Sequence, residues 1–411
     1  MYDVIVVGAR CAGSPTALLL ARKGYRVLLV DKAAFPSDAP KGIYIQPPGI
    51  ARLKHWGLLD QLAASNCPPI SRIVFDVGPF ALTGSPPPID GVAEGYAPRR
   101  KVLDKLLVDV AVAAGVELRD RFAVQEILMN GERVTGIRGQ LPGGATVTEQ
   151  ARMVIGADGI HSMVARAVQA PSYHTKPTLD CAYYTYHSGV PMEGAELYVR
   201  DHRFFGACPT NDGLLYSFVQ IPHRELHAFR ADLAKNYQRV FDLAPQLAER
   251  LRSGTQEERY MGTSDLPNFF RTPYGPGWAL VGDAGYHKDP YTAQGITDAF
   301  RDADLLANAI DAGFSGRQPL SEALSGYERQ RNEHVLPMYE FTCQLASFAP
   351  PSPEIQQLFG ALYGNQVETN RFLGTIAGTV SIPEFFAPQN VGRIIAMAGS
   401  SAVRQPAMQA A

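Results

Sequence analysis

A glycine loop near the start of the chain has the residue types of a phosphate-binding turn. It reads GARCAG, from Gly8 to Gly13, between an apolar run and a helix-like segment. Such glycines let the backbone approach a pyrophosphate, and a carboxylate about 20 residues later holds a ribose. Asp31 stands at that place. Arg10 replaces the usual middle glycine, so we expect it to lie beside the phosphates. The alternative is a tight strand–helix turn with no ligand.

Two later stretches could complete such a site, although each also has a simple structural explanation. In MVIGADGIHSMVARAV, residues 153–168, Asp158 lies where a strand turns into a helix. An Asp-Gly turn before a helix explains that pattern equally well. In residues 277–306, a strand delivers Asp283 to a loop and then to a helix whose N-terminus could stabilise an anion. The alternative there is an N-capped helix with solvated acidic residues, namely Asp298, Asp302 and Asp304.

In their order and spacing, the three stretches together resemble the group A flavin monooxygenases, the para-hydroxybenzoate hydroxylase-like family. The resemblance covers about residues 2–60, 96–170 and 275–335. In that family the first stretch binds the ADP half of FAD, the second lies near the pyrophosphate, and the third binds the ribityl chain and the flavin. The cofactor-binding residues that the resemblance implies are Gly8, Arg10, Cys11, Ala12, Gly13, Asp31, Lys32, Lys41, Arg100, Asp158, Gly282, Asp283, Pro290, Gln294, Gly295 and Ile296.

The loop that borders the reacting face of the flavin departs from the family pattern. Gly285 and Tyr286 replace the usual Ala-His pair, Asp289 replaces a proline, and Thr292 replaces a glycine. In the second stretch the family's arginine is displaced by one place, to Arg166. These departures leave the class of substrate open, while the cofactor that the resemblance implies is still FAD.

The resemblance implies an FAD-dependent monooxygenase that uses NADH or NADPH and O2. In the family, O2 adds to the reduced flavin as a C4a-hydroperoxide, which hydroxylates or epoxidises a small aromatic or polycyclic substrate. The helix that begins at Gly295 would stabilise negative charge on the reduced flavin. For each candidate histidine and tyrosine, the alternative to a role in catalysis or substrate binding is a structural role in the core or at the surface. The catalytic candidates are Pro290, Gly295, His287 and Tyr216, and the substrate candidates are Tyr183, His187, His202 and Tyr216.

Two other enzyme classes and one non-catalytic class share the FAD framework. A halogenase of the tryptophan type should contain a W-x-W-x-I-P run, but the only tryptophans are Trp56 and Trp278. A prenyl reductase of the geranylgeranyl reductase type agrees with FPSDAPKG at residues 35–42, yet its Y-x-W-x-F-P stretch is missing. A flavin-binding sensor without turnover is favoured only by the altered loop at residues 285–292.

The pattern of elements predicts an α/β fold. A Rossmann-like FAD-binding domain with a parallel sheet is interleaved with an antiparallel-sheet substrate domain and followed by a helical C-terminal region. Tyrosine-rich strands at residues 180–221 predict the antiparallel sheet, and one of its two faces should look at the flavin. The expected boundaries are 1–66, 97–178 and 270–338 for the FAD-binding domain, 67–96 and 179–269 for the substrate domain, and 339–411 for the C-terminal region.

Composition narrows the classes of partner. A formal net charge of −2 over 411 residues offers no basic surface for nucleic acid. There is no apolar run of about 18 residues, so we expect no stable membrane insertion. The five cysteines are scattered, which suits a reducing cytoplasm, and the nine histidines lack ligand spacing, so we expect no metal. We therefore expect a cytoplasmic monomer or homodimer with a small-molecule substrate.

Overall fold

The computed structural model divides the chain into two compact units, each made of three segments. The first unit comprises Met1–Ile43, Pro98–Thr178 and Leu266–Leu336, and the second comprises Tyr44–Ala97, Leu179–Asp265 and the chain from Pro337 onward. Residues 44–66, which the sequence analysis grouped with the FAD-binding domain, thus lie in the second unit, as does the C-terminal region. The structure describes residues 1–39 and 41–404, so residues 405–411 of that region lie outside the described residues.

Strands and helices are distributed along the whole described chain. The strands are β1 (Tyr2–Val7), β2 (Val27–Val30), β3 (Pro69–Ile70), β4 (Ile73–Asp76), β5 (Ala81–Gly84), β6 (Gly95–Tyr96), β7 (Glu117–Arg119), β8 (Ala123–Asn130), β9 (Arg133–Gln140), β10 (Thr146–Gly156), β11 (Ser172–Lys176), β12 (Asp180–Ser188), β13 (Ala195–Arg200), β14 (Arg203–Pro209), β15 (Leu215–Pro222), β16 (Thr255–Gln256), β17 (Met261–Thr263), β18 (Asn268–Arg271), β19 (Tyr274–Gly275), β20 (Trp278–Leu280) and β21 (Tyr286–His287). The helices are α1 (Gly13–Arg22), α2 (Pro47–His55), α3 (Leu59–Ala63), α4 (Arg100–Ala113), α5 (Met163–Ala167), α6 (Leu226–Ala231), α7 (Leu233–Phe241), α8 (Pro245–Ser253), α9 (Gly295–Phe314), α10 (Leu320–Ala346), α11 (Pro353–Leu362), α12 (Gln366–Ala377), α13 (Ile382–Phe385) and α14 (Pro388–Arg404).

The first unit is built on a mainly parallel sheet. Its strand order is β19-β20-β10-β1-β2-β7, and β1 runs parallel to both β10 and β2. Val4, Ile5 and Val6 are fully buried, as the unbroken apolar run of a parallel strand covered on both faces requires. Helix α1 packs against α4 and α9. The carboxyl ends of β1, β10 and β20 meet at one edge, which is where ligands bind in sheets of this kind.

A small sheet in the same unit fixes the segment that precedes α9. Strands β11, β18 and β21 form it, with Phe270 of β18 opposite Tyr286 of β21. The side chain of Asn268 donates to the Pro177 carbonyl at 3.0 Å and accepts the Asp289 N–H at 2.7 Å. These bonds anchor the backbone of the loop up to Asp289.

The second unit is built on a largely antiparallel sheet of order β16-β12-β15-β14-β13-β4-β5. One face packs on α6, α7 and α8 in a core that includes Tyr183, Phe205 and Tyr237. At the other end, the Phe75 ring lies 5.5 Å from the ring of Phe372 in α12, so the C-terminal helices pack on this sheet. A parallel-sheet unit, an antiparallel-sheet unit and C-terminal helices confirm the α/β fold expected from the sequence.

Candidate functional site

Three loops of the first unit meet at the carboxyl ends of β1, β10 and β20. Gly8 has a φ of 103°, and a Cβ there would lie 2.5 Å from the Ala157 oxygen. A Cβ on Gly13 would overlap the Gly8 oxygen, and one on Gly282 would lie 2.7 Å from the Ala12 Cβ. These close approaches require glycine. The structure therefore brings together the three stretches that the sequence analysis singled out.

Asp31 fastens the glycine loop to the end of β2. Its Oδ2 accepts the Ala9 N–H at 2.8 Å, and its Oδ1 accepts the Ala33 N–H at 2.8 Å. Each carboxylate oxygen keeps a further acceptor direction, so the ribose contact expected for Asp31 stays a prediction. The neighbouring Lys32 is exposed.

Beside the glycine loop, the fully buried Asp104 gathers three partners. Its carboxylate accepts from Arg10 Nη1 at 2.5 Å and from Arg100 Nη2 at 2.9 Å. Cys11 Sγ donates to it at 3.4 Å, and burial raises the pKa of that thiol to about 12, which keeps it protonated. Two guanidinium groups share one carboxylate, so the cluster has one positive charge in excess. Phosphate oxygens are the ligands that such guanidinium groups bind best.

The Arg10 side chain is turned toward the segment that follows β2. Its Nη2 donates to Ser37 Oγ at 3.0 Å, and its guanidinium lies 5.6 Å from the centre of the Phe35 ring. A contact between Arg10 and a pyrophosphate stays a prediction. The sequence analysis missed Asp104, and the available signal was its four-residue spacing from Arg100 on one helix face.

Only one of the two carboxylate oxygens of Asp158 accepts hydrogen bonds from the start of α5. Oδ2 accepts the N–H groups of Met163 and Val164, at 2.6 and 3.3 Å, at the start of α5. Oδ1 is buried and has no hydrogen-bond partner among the described residues. Burial raises the pKa of Asp158, while the hydrogen bonds from Ser162 and the helix lower it. A buried acceptor without a partner is costly, so a hydroxyl or N–H donor from a ligand at Oδ1 would be favourable.

Asp283 forms an ion pair with Lys41. The Lys41 Nζ lies 3.2 Å from Asp283 Oδ2, and both side chains are partly exposed. Burial alone would raise the pKa of Asp283, but the positive charges of Lys41 and Arg100 help to hold it below its usual value. Asp283 is therefore an ionised acceptor in the third loop, close to the excess positive charge of the Arg10–Asp104–Arg100 cluster.

The turn before α9 ends at a glycine with open space above it. Pro290 begins a single turn, Ala293 adopts a left-handed φ of 50°, and Gln294 caps the helix that starts at Gly295. Gln294 and Ile296 are buried, whereas Gly295 is exposed. A Cβ on Gly295 would meet no atom of the described residues within 4 Å. Packing within the chain thus leaves room for a Cβ at Gly295, and the close approach of a ligand to this residue stays a prediction.

His287 is held in one tautomer. Its Nδ1 lies 2.5 Å from the Pro267 carbonyl oxygen, which can only accept, so Nδ1 bears the proton. Burial lowers the pKa of His287, so the ring is neutral. Its Nε2 is then a proton acceptor.

Buried charges behind this turn correct one alternative from the sequence analysis. Asp298 and Asp302 are buried rather than solvated, with exposed fractions of 5% and 0%. Lys288 and Tyr286 both donate to Asp298 Oδ2, and Arg301 Nη1 donates to Oδ1 at 2.7 Å. Arg301 was missed because a charged helix face normally indicates solvent, and Lys288 because it lies in a loop outside any helix.

The four substrate candidates do not line a common surface. Tyr183 lies 5.5 Å from the ring of Phe229 in α6, and His187 Nδ1 lies 3.3 Å from Ser217 Oγ, on the face that packs on the helices. Tyr216 lies on the opposite face, because neighbouring side chains of β15 alternate in direction. His202 is at the tip of the β13–β14 hairpin with a φ of 51°. Only Tyr216 stays a candidate for the aromatic face described below.

The opposite face of this sheet carries a cluster of aromatic rings, of which Tyr184, Tyr186 and Phe204 are buried and Tyr216 and Phe218 are partly exposed. The Tyr216 ring lies 5.2 Å from Tyr184, 5.7 Å from Tyr186 and 6.0 Å from Phe218, and Phe218 lies 5.4 Å from Phe204. We call these five residues the aromatic face. The sequence alternation separated the two faces but did not tell which one the helices cover.

The described residues contain neither a cluster of metal ligands nor a helix suited to cross a membrane. Within residues 1–39 and 41–404, no group of three or more His, Cys, Asp or Glu side chains could hold a metal ion. In the same part of the chain, no helix has the length and hydropathy needed to cross a membrane.

Known proteins share this architecture. Digeranylgeranylglycerophospholipid reductase 1 of Methanococcoides burtonii is 27% identical over 340 residues, which cover 80% of this chain and 79% of the reductase. Kynurenine 3-monooxygenase of Salinispora arenicola is 27% identical over 358 residues, which cover 81% of this chain and 76% of that enzyme. The myxobacterial chondrochloren halogenase has a similar structure, with a TM-score of 0.78 at 22% identity over 97% of this chain and 96% of that chain. This last likeness shows the fold alone.

A family model gives the assignment. The model described as FAD binding domain matches residues 1–342, which include all three loops of the candidate site. Because the match spans well over half of the chain, the protein belongs to the FAD binding domain family and is an FAD-dependent oxidoreductase.

Proposed function

We propose that the protein is a monooxygenase of the group A type, which uses NADH or NADPH and O2 to hydroxylate or epoxidise an uncharged aromatic substrate. The aromatic face of the second unit is the observation that carries the proposal. Five rings lie together there, and none of the five side chains is charged. The likeness to a kynurenine 3-monooxygenase supports the reaction class.

The residues of the first unit fit FAD. The glycine loop allows close approach of a pyrophosphate, and the excess charge of Arg10 and Arg100 would balance part of its negative charge. Asp158 Oδ1 has room for a donor from the cofactor, and Asp283 would hold ribityl hydroxyls. Gly295 leaves space at the positive end of α9. Bound FAD would supply the redox chemistry that side chains lack.

His287 is our candidate proton acceptor. Its Nδ1–H is fixed on the Pro267 carbonyl at 2.5 Å, so the lone pair of Nε2 is the free site on the ring. The burial that lowers the pKa of His287 keeps that site unprotonated at neutral pH. The imidazole would hold a proton released from a substrate hydroxyl or from the flavin.

The aromatic face favours a flat, neutral ligand. Offset and edge-on ring contacts stabilise an aromatic guest by about 0.5–1.5 kcal/mol each beyond the burial of its area. The Tyr216 hydroxyl makes no hydrogen bond to any described residue, and burial together with Tyr186 and Tyr184 raises its pKa well above the usual value. It therefore stays protonated and would donate to a substrate oxygen. A substrate carboxylate would find no cation among these five side chains.

Reduction of a double bond is the second candidate function. The likeness to digeranylgeranylglycerophospholipid reductase 1 favours it, and an apolar surface can also hold a prenyl chain. A halogenase is supported only by likeness of fold.

Product analysis distinguishes these functions. The FAD-loaded protein is incubated with NADH or NADPH, isotopically labelled O2 and a panel of uncharged aromatic compounds, with prenyl lipids and halide salts in parallel. We expect substrate-stimulated oxidation of the nicotinamide and a product that contains one labelled oxygen atom. A product hydrogenated without O2, or a halogenated one, would contradict the proposal.

A pair of variants tests the aromatic face. Tyr216→Phe should raise KM for an oxygen-bearing substrate about fivefold, since one hydrogen bond is worth about 1 kcal/mol. Tyr183→Phe, on the helix-packed face of the same sheet, is the matched control and should leave KM unchanged. Equal effects of the two substitutions would rule out the face assignment.

A further inference from the structure

The loop that departs from the family pattern ends in a buried network of charges. Tyr286 and Lys288 enter it from the loop, and Asp298 and Arg301 enter it from the first turns of α9. Lys288 Nζ donates to Tyr286 OH at 2.7 Å and also to Asp298 Oδ2. The side chains of Lys288 and Asp298 are 3% and 7% exposed, so water screens this pair little.

The groups in this network have defined charges at neutral pH. Burial alone would raise the pKa of Asp298, but Lys288 and Arg301 lower it to about 2, so the carboxylate is ionised. Burial and the Asp298 charge raise the pKa of Tyr286 well above its usual value, so the phenol is neutral. Arg301 also donates to the buried Asp302 at 2.8 Å. Burial raises the pKa of Asp302, and the positive charges of Arg301 and Arg331 oppose that rise.

Asp298 lies where its negative charge can affect an anion bound at the N-terminus of α9. It is the fourth residue of α9, in the turn where the unpaired N–H groups concentrate positive partial charge. A carboxylate in that turn offsets the helix dipole, and its effect on any ligand anion at Gly295 is unfavourable. The Lys288 ammonium and the Arg301 guanidinium both compensate this charge at direct contact, and Arg301 is shared with Asp302. The Ala-His pair of the family pattern is replaced here by Gly285 and Tyr286, and the Tyr286 hydroxyl joins Lys288 to the same carboxylate.

We propose that Lys288 is a positioning residue of the flavin site, which neutralises Asp298 so that the N-terminus of α9 stabilises the negative charge of reduced FAD. The inference rests on the proposed FAD site at Gly295 and not on the identity of the substrate. A purely packing role for Lys288 would affect stability but would not change the balance between oxidised and reduced cofactor.

The test is the midpoint potential of bound FAD, measured anaerobically against reference dyes on the holoenzyme without substrate. Lys288→Met removes the positive charge and should move the potential to a more negative value, with reduced FAD bound about tenfold more weakly relative to oxidised FAD. Asp298→Asn should move it in the opposite direction. The double variant should return close to the wild-type potential, because both charges are gone.

Lys105→Met is the matched control, since Lys105 forms an exposed ion pair with Asp109 on α4 and should leave the potential unchanged. If every variant binds FAD and none changes its midpoint potential, the inference is overturned. If Lys288→Met fails to retain FAD, Asp298→Asn decides alone, and an unshifted potential in that variant overturns it. A wild-type protein that takes up no FAD would overturn the FAD site itself. A failed monooxygenase assay would not affect this inference, because the midpoint potentials are measured without substrate.

Discussion

At the scale of single residues, glycines of the candidate site are there for two different reasons. Gly13 is required by the protein itself, because a Cβ would overlap the Gly8 oxygen. A Cβ on Gly295 would meet nothing within 4 Å among the described residues, and we propose that its lack of a side chain serves the bound cofactor. Stability and cofactor affinity should therefore respond separately at these two positions.

Gly295→Ala separates the two effects. Alanine in the first turn of a helix should leave the free energy of unfolding of the FAD-free protein unchanged or raise it by up to about 1 kcal/mol. The affinity for FAD should fall at least about tenfold, because the methyl group occupies the approach of the cofactor. Thermal unfolding and FAD titration measure the two quantities.

Gly360→Ala in α11 is the control, since a Cβ there also meets no described atom within 4 Å. It should change neither FAD affinity nor turnover. Unchanged FAD affinity in Gly295→Ala would show that the cofactor does not lie against this residue.

At the scale of elements, ion pairs join α9 to the loop that precedes it. Lys288 from the loop and Arg301 from the helix both contact Asp298, so the loop is fixed to the helix by charge rather than by apolar packing alone. Breaking a buried pair by removing one partner typically costs about 3–5 kcal/mol. The geometry of the turn at Pro290 therefore depends on the ionisation of Asp298.

Acid should weaken the ion pairs of Asp298 over a defined range of pH. The pKa of Asp298 is about 2 in the folded protein, below the usual value of about 3.9 that it takes when unfolded. Its stabilisation is complete above about pH 4 and is lost as the pH falls toward about 2. This stabilisation amounts to about 3 kcal/mol at neutral pH.

Denaturant unfolding of the wild type and Asp298→Asn between pH 7 and pH 2 measures this contribution. The difference in their free energies of unfolding should shrink as the pH falls through that window. Asp109→Asn, at an exposed pair, should show no such narrowing. Parallel pH profiles for the wild type and Asp298→Asn would contradict the assigned ionisation.

At the scale of the whole molecule, the candidate cofactor residues all fall in the first unit and the aromatic face falls in the second. Ligand binding to a native state stabilises the segments that it contacts. Hydrogen exchange with and without FAD should therefore show slower exchange in residues 8–14, 156–164 and 282–298. Helices α6 to α8 should exchange at the same rate. Equal protection of those helices would contradict the division of roles.

Local patterns predicted the part of the site that depends on neighbours in sequence. The glycine spacing, the carboxylate of Asp31 and the start of α9 at Gly295 are visible in short windows. Asp104 was missed because Arg10, one of its partners, is 94 residues away. The burial of Asp298 was missed because a charged helix face normally meets water. Alternation in β12 predicted two faces, but their coverage depends on helices far along the chain.

The strand pairing in the first unit also sets an order of events during synthesis. Strand β1 is made first, yet its neighbour β10 begins at Thr146 and the next strand, β20, begins at Trp278. A chain leaves the ribosome from its N-terminus, so β1 can pair early with β2 but must wait for its other neighbour, β10. The nascent protein can capture FAD only after the third loop, beyond Trp278, has emerged. We therefore expect cofactor loading to be a late step, after β20 has joined β10 in the sheet.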